Sequence, residues 1–340
     1  MTAAPAGRTA AIFGCAGPRL SAEEARFFRE ADAFGFILFA RNCEGADQIR
    51  ALTEALRDAV GRDAPILIDQ EGGRVARLPE GVGRRWPPPL DAVRAAGDRA
   101  ADMMRLRYRL IAAELRALGI DVNCAPLADV ATPGTHPFLR NRCYGETPQA
   151  VATIARAVAE GLLEGGALPV LKHIPGHGRA RADSHLALPR VEAPAEALRA
   201  TDFAPFAALA DLPMGMTAHV VYAALDERPA TTSPAMIRLI RGELGFAGLL
   251  MTDDISMQAL SGPVEERAAE ALAAGCDVVL HCNGDLAEME AVAQTAGGMS
   301  AESRARAVAA LSQRPTAPPP VDIPALEAKL AAMPGGIGDG

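Results

Sequence analysis

The sequence predicts an α/β fold, a single (β/α)₈ TIM-type barrel with its active site at the C-terminal ends of the strands. Eight short apolar runs recur along the 340 residues, and segments with helical periodicity lie between them. The runs are apolar almost without interruption, as strands buried on both faces of a parallel sheet must be. Polar residues collect at one end of them: Asp69, Asn123, Asp129, Lys172, His173, His219, Asp253 and Asp254 all fall at or just past a strand end. A barrel gathers such ends around one mouth, which turns residues scattered in sequence into one pocket. A doubly wound open sheet is the alternative for this alternation, but no GxGxxG follows an early strand.

In chain order, AAIFGCAG at 10–17 is the first strand, and SAEEARFFREAD at 21–32 follows it with helical spacing. GFILFA at 35–40 and PILIDQ at 65–70 are the second and third, and IDVNCAPLADV at 120–130 is the fourth. Thr147-Pro148 then marks a helix N-terminus, with proline in the first turn where its missing N–H costs nothing, and the helix runs through TPQAVATIARAVAEGLLEGG. ALPVLKH at 167–173, GMTAHVVY at 215–222, GLLMTDD at 248–254 and CDVVLHCN at 276–283 complete the set. Beyond residue 300 a stiff PTAPPP connector leads into a terminal helix, DIPALEAKLAAM. The organisation expected is one catalytic domain over 1–340, with its core at about 10–300 and a helical extension at about 300–335. There is no internal repeat.

Nearly half of the residues are apolar, enough for a large core, and the net charge is −8 with the arginines dispersed. That balance argues against nucleic acid or an anionic lipid surface as the partner. The first residues have one arginine and no continuous apolar stretch, so no signal peptide is expected, and no run of about 18 apolar residues exists to span a bilayer. The six cysteines form no CxxC pair, which points to buried thiols in a reducing cytoplasm rather than a zinc site.

The stretch KHIPGHGRARADSHLALP, 172–189, carries the most chemistry: three of the six histidines, His173, His177 and His185, lie within it. Asp183 stands two residues before His185, close enough to hold that ring's tautomer and orientation. Gly176 and Gly178 allow a sharp turn. Lys172 is one of only two lysines in a chain that otherwise uses arginine. A compact ammonium at a strand end suits a hydroxyl or oxyanion ligand in a tight pocket. His173 and His177 are four apart, but Pro175 and Gly176 between them exclude the helical geometry of a metal-binding HExxH site. No metal and no cofactor is expected.

Two acids, Asp253 and Asp254, follow the seventh apolar run; on a regular strand they point to opposite faces, so one can react while the other caps the next element. In DQEGGRVAR, 69–77, Asp69 and Arg77 either bind polar groups of a ligand or close a tight turn by a salt bridge, with Gly72-Gly73 permitting the turn. Arg142, in RNRCYGETP, lies just ahead of a helix.

Together these segments resemble glycoside hydrolase family 3, in particular its bacterial β-N-acetylhexosaminidases of the peptidoglycan-recycling type. KHIPGHG followed by DSH is similar to that subgroup's KHFPGHG…DSH signature. DQEGGRV resembles its substrate-binding loop, RNRCYGETP its R-S-F-G-x-x-P element, MTDDISM its nucleophile segment, and AHVVYAALDERPATTSP its AHxxYPxxDxxPAxxSP stretch. The likeness covers roughly 10 to 300 in the family's order. It implies Asp253 as the nucleophile, His185 with Asp183 as an acid/base dyad, and Asp69, Arg77, Arg142, Lys172 and His173 as sugar-binding residues. Ile174 in place of an aromatic, Cys143 in place of serine and Ala223 in place of proline depart from the pattern without removing a reactive group.

The implied activity is that of a cytoplasmic, retaining exo-β-N-acetylglucosaminidase. Its implied substrate is GlcNAc linked β-1,4 to 1,6-anhydro-N-acetylmuramic acid, with or without stem peptide. The partner expected is that small-molecule sugar alone, with no nucleic acid and no membrane, and the protein is expected to be a monomer or weak dimer. A retaining glycosidase ordinarily pairs two carboxyl groups. No glutamate stands out as the acid, and an imidazole that titrates near neutrality can take that role. A same-fold β-glucosidase, a phosphorylase of GlcNAc glycosides and a non-catalytic muropeptide sensor are the alternative readings.

Overall fold

The computed structural model describes residues 6–182, 184 and 187–337. Eight strands lie in it where the apolar runs put them: β1 (Thr9–Gly14), β2 (Ala33–Leu38), β3 (Ile66–Ile68), β4 (Val122–Asn123), β5 (Leu168–Ile174), β6 (Met214–Thr217), β7 (Leu249–Asp254) and β8 (Val278–His281). Each pairs in parallel with the next, and β8 returns to β1, so the sheet closes into a barrel without edges. The chain is an α/β protein of the (β/α)₈ type.

Parallel strands need a crossover to return to the same end, and helices supply it. Ala22–Ala31 is started by a capping box, in which Ser21 accepts from the Glu24 N–H and Glu24 accepts from the Ser21 N–H. Pro148–Glu164 opens as expected, with Thr147 accepting from the Ala150 N–H and Pro148 in the first turn. The apolar residues sort into two layers. Ala10, Ile12, Phe34, Leu67, Val122, Val170, Met214, Met251 and Val278 belong to one cluster fed by all eight strands, which is the barrel interior. Their neighbours Ala11, Phe13, Leu171, Leu250 and Val279 join the larger cluster beneath the helices. This double burial explains why the strands read as unbroken apolar runs.

At the N-terminal end, two buried carboxylates tie strands to the C-terminal segments. Asp121 accepts from the Ile66 N–H at 2.8 Å and pairs with Arg57 and Arg314. Asp277 accepts from the Leu250 N–H at 2.9 Å, from Ser303 and from Arg241 and Arg306. The helix Ala301–Ser312 adds Ala307, Ala310 and Leu311 to the inner cluster. The terminal helix Ile323–Ala331 is held by Arg84, which bridges Glu114 and Glu327. These contacts lie at the end of the barrel that positions no chemistry, so the polar mouth is left to the opposite rim.

Candidate active site

Two strands bend where the site begins. Along β5 and β6, Leu171 faces Gly215 and Ile174 faces Thr217, so three steps on one strand oppose two on the other, with the extra residue at Lys172–His173. Along β7 and β8, Met251 faces Val278 and Asp254 faces Leu280, which gives the same mismatch around Asp253. A bulge re-aims side chains and breaks strict alternation. Hence the neighbours Lys172 and His173 both border the central cavity, and so do both Asp253 and Asp254. The expectation that only one of the two acids faces inward is thus too strict, although their environments differ sharply. Asp254 accepts from Ser256 N–H and Oγ at 2.9 and 2.7 Å and from the Cys282 N–H at 3.2 Å, so it holds a turn. Asp253 accepts only the Asp254 N–H, at 2.8 Å, among the described residues.

The cavity measures about 390 Å³, within the range of small-molecule sites. Asp69, Arg77, Arg142, Lys172, His173 and Asp253, all singled out from the sequence, line it together. Lys172 Nζ donates to Asp69 Oδ1 at 2.7 Å and lies 2.6 Å from Glu71 Oε1. Arg142 grips Glu71 with Nε and Nη2, both at 2.9 Å, and Arg77 Nη2 reaches Asp69 Oδ2 at 3.3 Å. Burial alone raises a carboxyl's pKa; for Asp69 the Lys172 and Arg77 charges reverse this and hold it well below its ordinary range. The same burial penalty on the Lys172 ammonium is outweighed by Asp69 and Glu71, which hold it above its ordinary value. Of the two alternatives for Asp69 and Arg77 the structure shows the salt bridge, and both residues also face the cavity.

Asp253 is kept anionic by a similar balance. Burial opposes its charge, and His173, His219, the Asp254 N–H and Lys172 prevail, so its carboxyl sits below the ordinary range. His173 Nδ1 lies 2.8 Å from Asp129 Oδ2, while Asp129 Oδ1 accepts from the His177 N–H at 2.6 Å. One carboxylate thus fixes both ends of the turn His173–His177. Gly178 is needed just beyond, because a Cβ there would come 1.9 Å from the Val130 carbonyl oxygen. His177 is buried, with Nε2 at 3.2 Å from Ser184 Oγ, and Ser184 borders the cavity. His219 does not border it; its Nε2 donates to the Asp254 carbonyl at 3.0 Å. Asp183 and His185 lie outside the described residues.

Burial pushes the His177 imidazole down to about 4, with His173 acting in the same direction. This carries a pH prediction. In the unfolded chain His177 takes up a proton near pH 6.5, whereas in the folded protein it resists until about 4. Between those values the unfolded state binds more protons, so stability falls as the pH is lowered from about 6.5 to about 4 and is unaffected above. A shift of this size corresponds to roughly 3 kcal/mol, and His219, also held low by burial, adds in the same direction. Urea midpoints should be flat from pH 8 to 7 and drop towards pH 4.5, and His177→Asn should flatten that drop. An unchanged slope in the variant would assign the loss to other groups.

Sequence reasoning missed Glu71 and the orienting role of Asp129. Glu71 carried one usable signal, since it stands two residues from Asp69 and so shares its parity next to a glycine pair. Met216, Met257, Leu280 and Cys282 add an apolar wall to the cavity. They are indistinguishable from core residues in the sequence. The six cysteines are buried and free, and among the described residues no group of three or more His, Cys, Asp or Glu side chains is arranged to hold a metal. No helix among the described residues is long and apolar enough to cross a membrane.

The family model for the glycosyl hydrolase family 3 N terminal domain matches residues 10–310. The chain belongs to glycosyl hydrolase family 3. It is a glycosidase, acting on O-glycosyl bonds. The beta-hexosaminidase of Methylococcus capsulatus is 40% identical over 277 residues, which is 80% of this chain and 82% of that one. NagZ from Neisseria gonorrhoeae, solved in complex with N-trifluoroacetyl-D-glucosamine, superposes with a TM-score of 0.79 at 30% identity over 96% of this chain and 98% of that one. A family 3 β-N-acetylglucosaminidase from Paenibacillus sp. gives a TM-score of 0.82 at 32% identity over 92% of this chain, which spans 63% of that longer protein.

Proposed function

We propose that this family 3 enzyme is a cytoplasmic, retaining exo-β-N-acetylglucosaminidase that removes GlcNAc from GlcNAc-1,6-anhydro-N-acetylmuramic acid, with or without peptide, in cell-wall recycling. The observation that carries the reading is the Asp253 carboxylate, which accepts a single N–H among the described residues and is kept anionic in a sugar-sized cavity that Asp69, Arg77, Arg142 and Lys172 also line. In the first step Asp253 attacks the anomeric carbon from the face opposite the leaving group, while His185 gives its proton to the glycosidic oxygen. The bond to the aglycone breaks and a glycosyl ester on Asp253 remains. In the second step water attacks the same carbon, His185 takes its proton, and the ester bond breaks, so the sugar leaves with its original configuration. Asp183 orients the His185 ring and stabilises the imidazolium. Ser184, the residue between these two in the chain, borders the cavity, which supports assigning the pair to this site. Asp69, Arg77, Arg142, Lys172 and His173 hold the sugar. The apolar wall of Met216, Met257, Leu280 and Cys282 offers a place for an acetamido methyl. Relatives named for hexosamines favour GlcNAc over glucose, and a sensor without catalysis has no use for an anionic carboxylate that, among the described residues, holds no turn or side chain in place as Asp254 does.

Proton NMR of the first-formed sugar tests the reading, with 4-nitrophenyl β-GlcNAc and with GlcNAc-anhydro-N-acetylmuramic acid as substrates. β-GlcNAc appearing before mutarotation is expected from both. The α anomer would refute retention, a GlcNAc 1-phosphate formed whenever phosphate is added would make the enzyme a phosphorylase, and preference for a β-glucoside would move the specificity to glucose.

A further inference from the structure

Glu71 is fully buried and does not border the cavity, yet two of the residues that do are built around it. Its Oε1 atom alone receives Lys172 Nζ at 2.6 Å and Arg142 Nη2 at 2.9 Å, so two cations share one oxygen. Without that oxygen they would repel at this distance in a water-poor site. An ammonium has three donors and a guanidinium five. Lys172 spends one on Asp69 and is ion-paired with Glu71, and Arg142 spends Nε and one Nη2 hydrogen on Glu71. What is left, ammonium hydrogen that Asp69 does not take and the Nη1 edge, belongs to side chains that border the cavity.

Glu71 is itself anchored through its backbone. Its carbonyl accepts from Arg107 Nη2 at 2.8 Å and from the Tyr108 hydroxyl at 3.0 Å. The next residue, Gly72, has φ +104°, and a Cβ there would meet Arg107 Nη2 at 1.8 Å, so glycine is required for this approach. Asn123 secures the preceding residue from both sides, accepting from the Gln70 N–H and donating to the Gln70 carbonyl, each at 3.0 Å.

We infer that Glu71 is a positioning residue for the sugar: it holds Lys172 and Arg142 side by side and leaves one donor edge of each for neighbouring ring hydroxyls. The inference rests on the reading of this cavity as the sugar site but not on which sugar fills it. It is therefore tested with whichever 4-nitrophenyl β-glycoside the wild-type enzyme cleaves fastest, and with the monodeoxy analogues of that glycoside. Glu71→Gln should lower kcat/KM by roughly 10- to 100-fold on the parent sugar, the scale of a charge-assisted hydrogen bond. On at least one deoxy analogue that loss should shrink severalfold, because the hydroxyl it acts through is gone. A wild-type kcat/KM, or the same loss on every deoxy analogue, would overturn the inference, since a purely structural role does not distinguish hydroxyls. Should Glu71→Gln fail to fold, Glu71→Asp decides the matter. It keeps the charge but is too short to reach both partners, and it should show the same hydroxyl-dependent loss.

Discussion

Asp253→Ala should lose turnover by about 10⁴- to 10⁶-fold, the range seen when a residue that makes or directs a covalent bond is removed, while the folded protein survives. The carboxylate accepts one backbone N–H among the described residues, so its removal opens no packed core. It also ends the unfavourable burial of one charge, which compensates part of what the neighbouring histidines lose. Far-ultraviolet circular dichroism should be unchanged. Added azide should restore product as the α-glycosyl azide, because an external anion that replaces Asp253 attacks from the nucleophile's face. Asp254→Ala should behave in the opposite way. Three hydrogen bonds hold the turn after β7, and losing them costs stability on the scale of a lost cap, about 0.5–2 kcal/mol, with a smaller effect on rate. An Asp254 variant that was dead beside a near-normal Asp253 variant would reverse the assignment of the two acids.

The contrast between these two acids shows what the chain discloses and what it hides. The eight strands are legible because burial on both faces leaves them few polar positions away from their ends, and the strand-end residues then name the mouth. Even so, the fourth run, read over 120–130, is a regular strand only at Val122–Asn123, and beyond it keeps single backbone bonds to β3 and β5 and one bridge from Leu127 to Lys172. Pro126 lacks an N–H and interrupts the ladder between them. Asp69, Arg77, Arg142 and Lys172, which the resemblance makes sugar-binding residues, are brought together by the structure in one ionic cluster. Its keystone Glu71 went unnoticed because a buried glutamate looks like a surface one in sequence. The bulges at Lys172–His173 and at Asp253 are hidden for a related reason. Alternation is a rule of regular strands, and the strands are irregular where the site needs two successive side chains on one face.

His185→Ala should slow substrates with basic leaving groups far more than activated aryl glycosides. Protonating the departing oxygen matters only when that oxygen is a strong base; an aryloxide of low pKa leaves with little help. General acid–base catalysis contributes about 10²- to 10⁴-fold, and the defect on the natural disaccharide should fall in that range. On 4-nitrophenyl or 2,4-dinitrophenyl GlcNAc the first step should stay fast. The second step still lacks a base to activate water, so the glycosyl ester on Asp253 should accumulate and be visible by intact-protein mass spectrometry. Azide, which needs no deprotonation, should discharge that ester to the β-glycosyl azide, the anomer opposite to the one expected from the Asp253 variant. Asp183→Ala should show the same pattern more weakly, because the imidazole remains but loses the carboxylate proposed to orient it. The measurement is the ratio of variant to wild-type rate across leaving groups of rising pKa. A flat ratio with no trapped ester would make His185 a binding residue and leave the proton to another group. His173 would then be the first to test, since it already borders the cavity and is oriented by Asp129 at 2.8 Å.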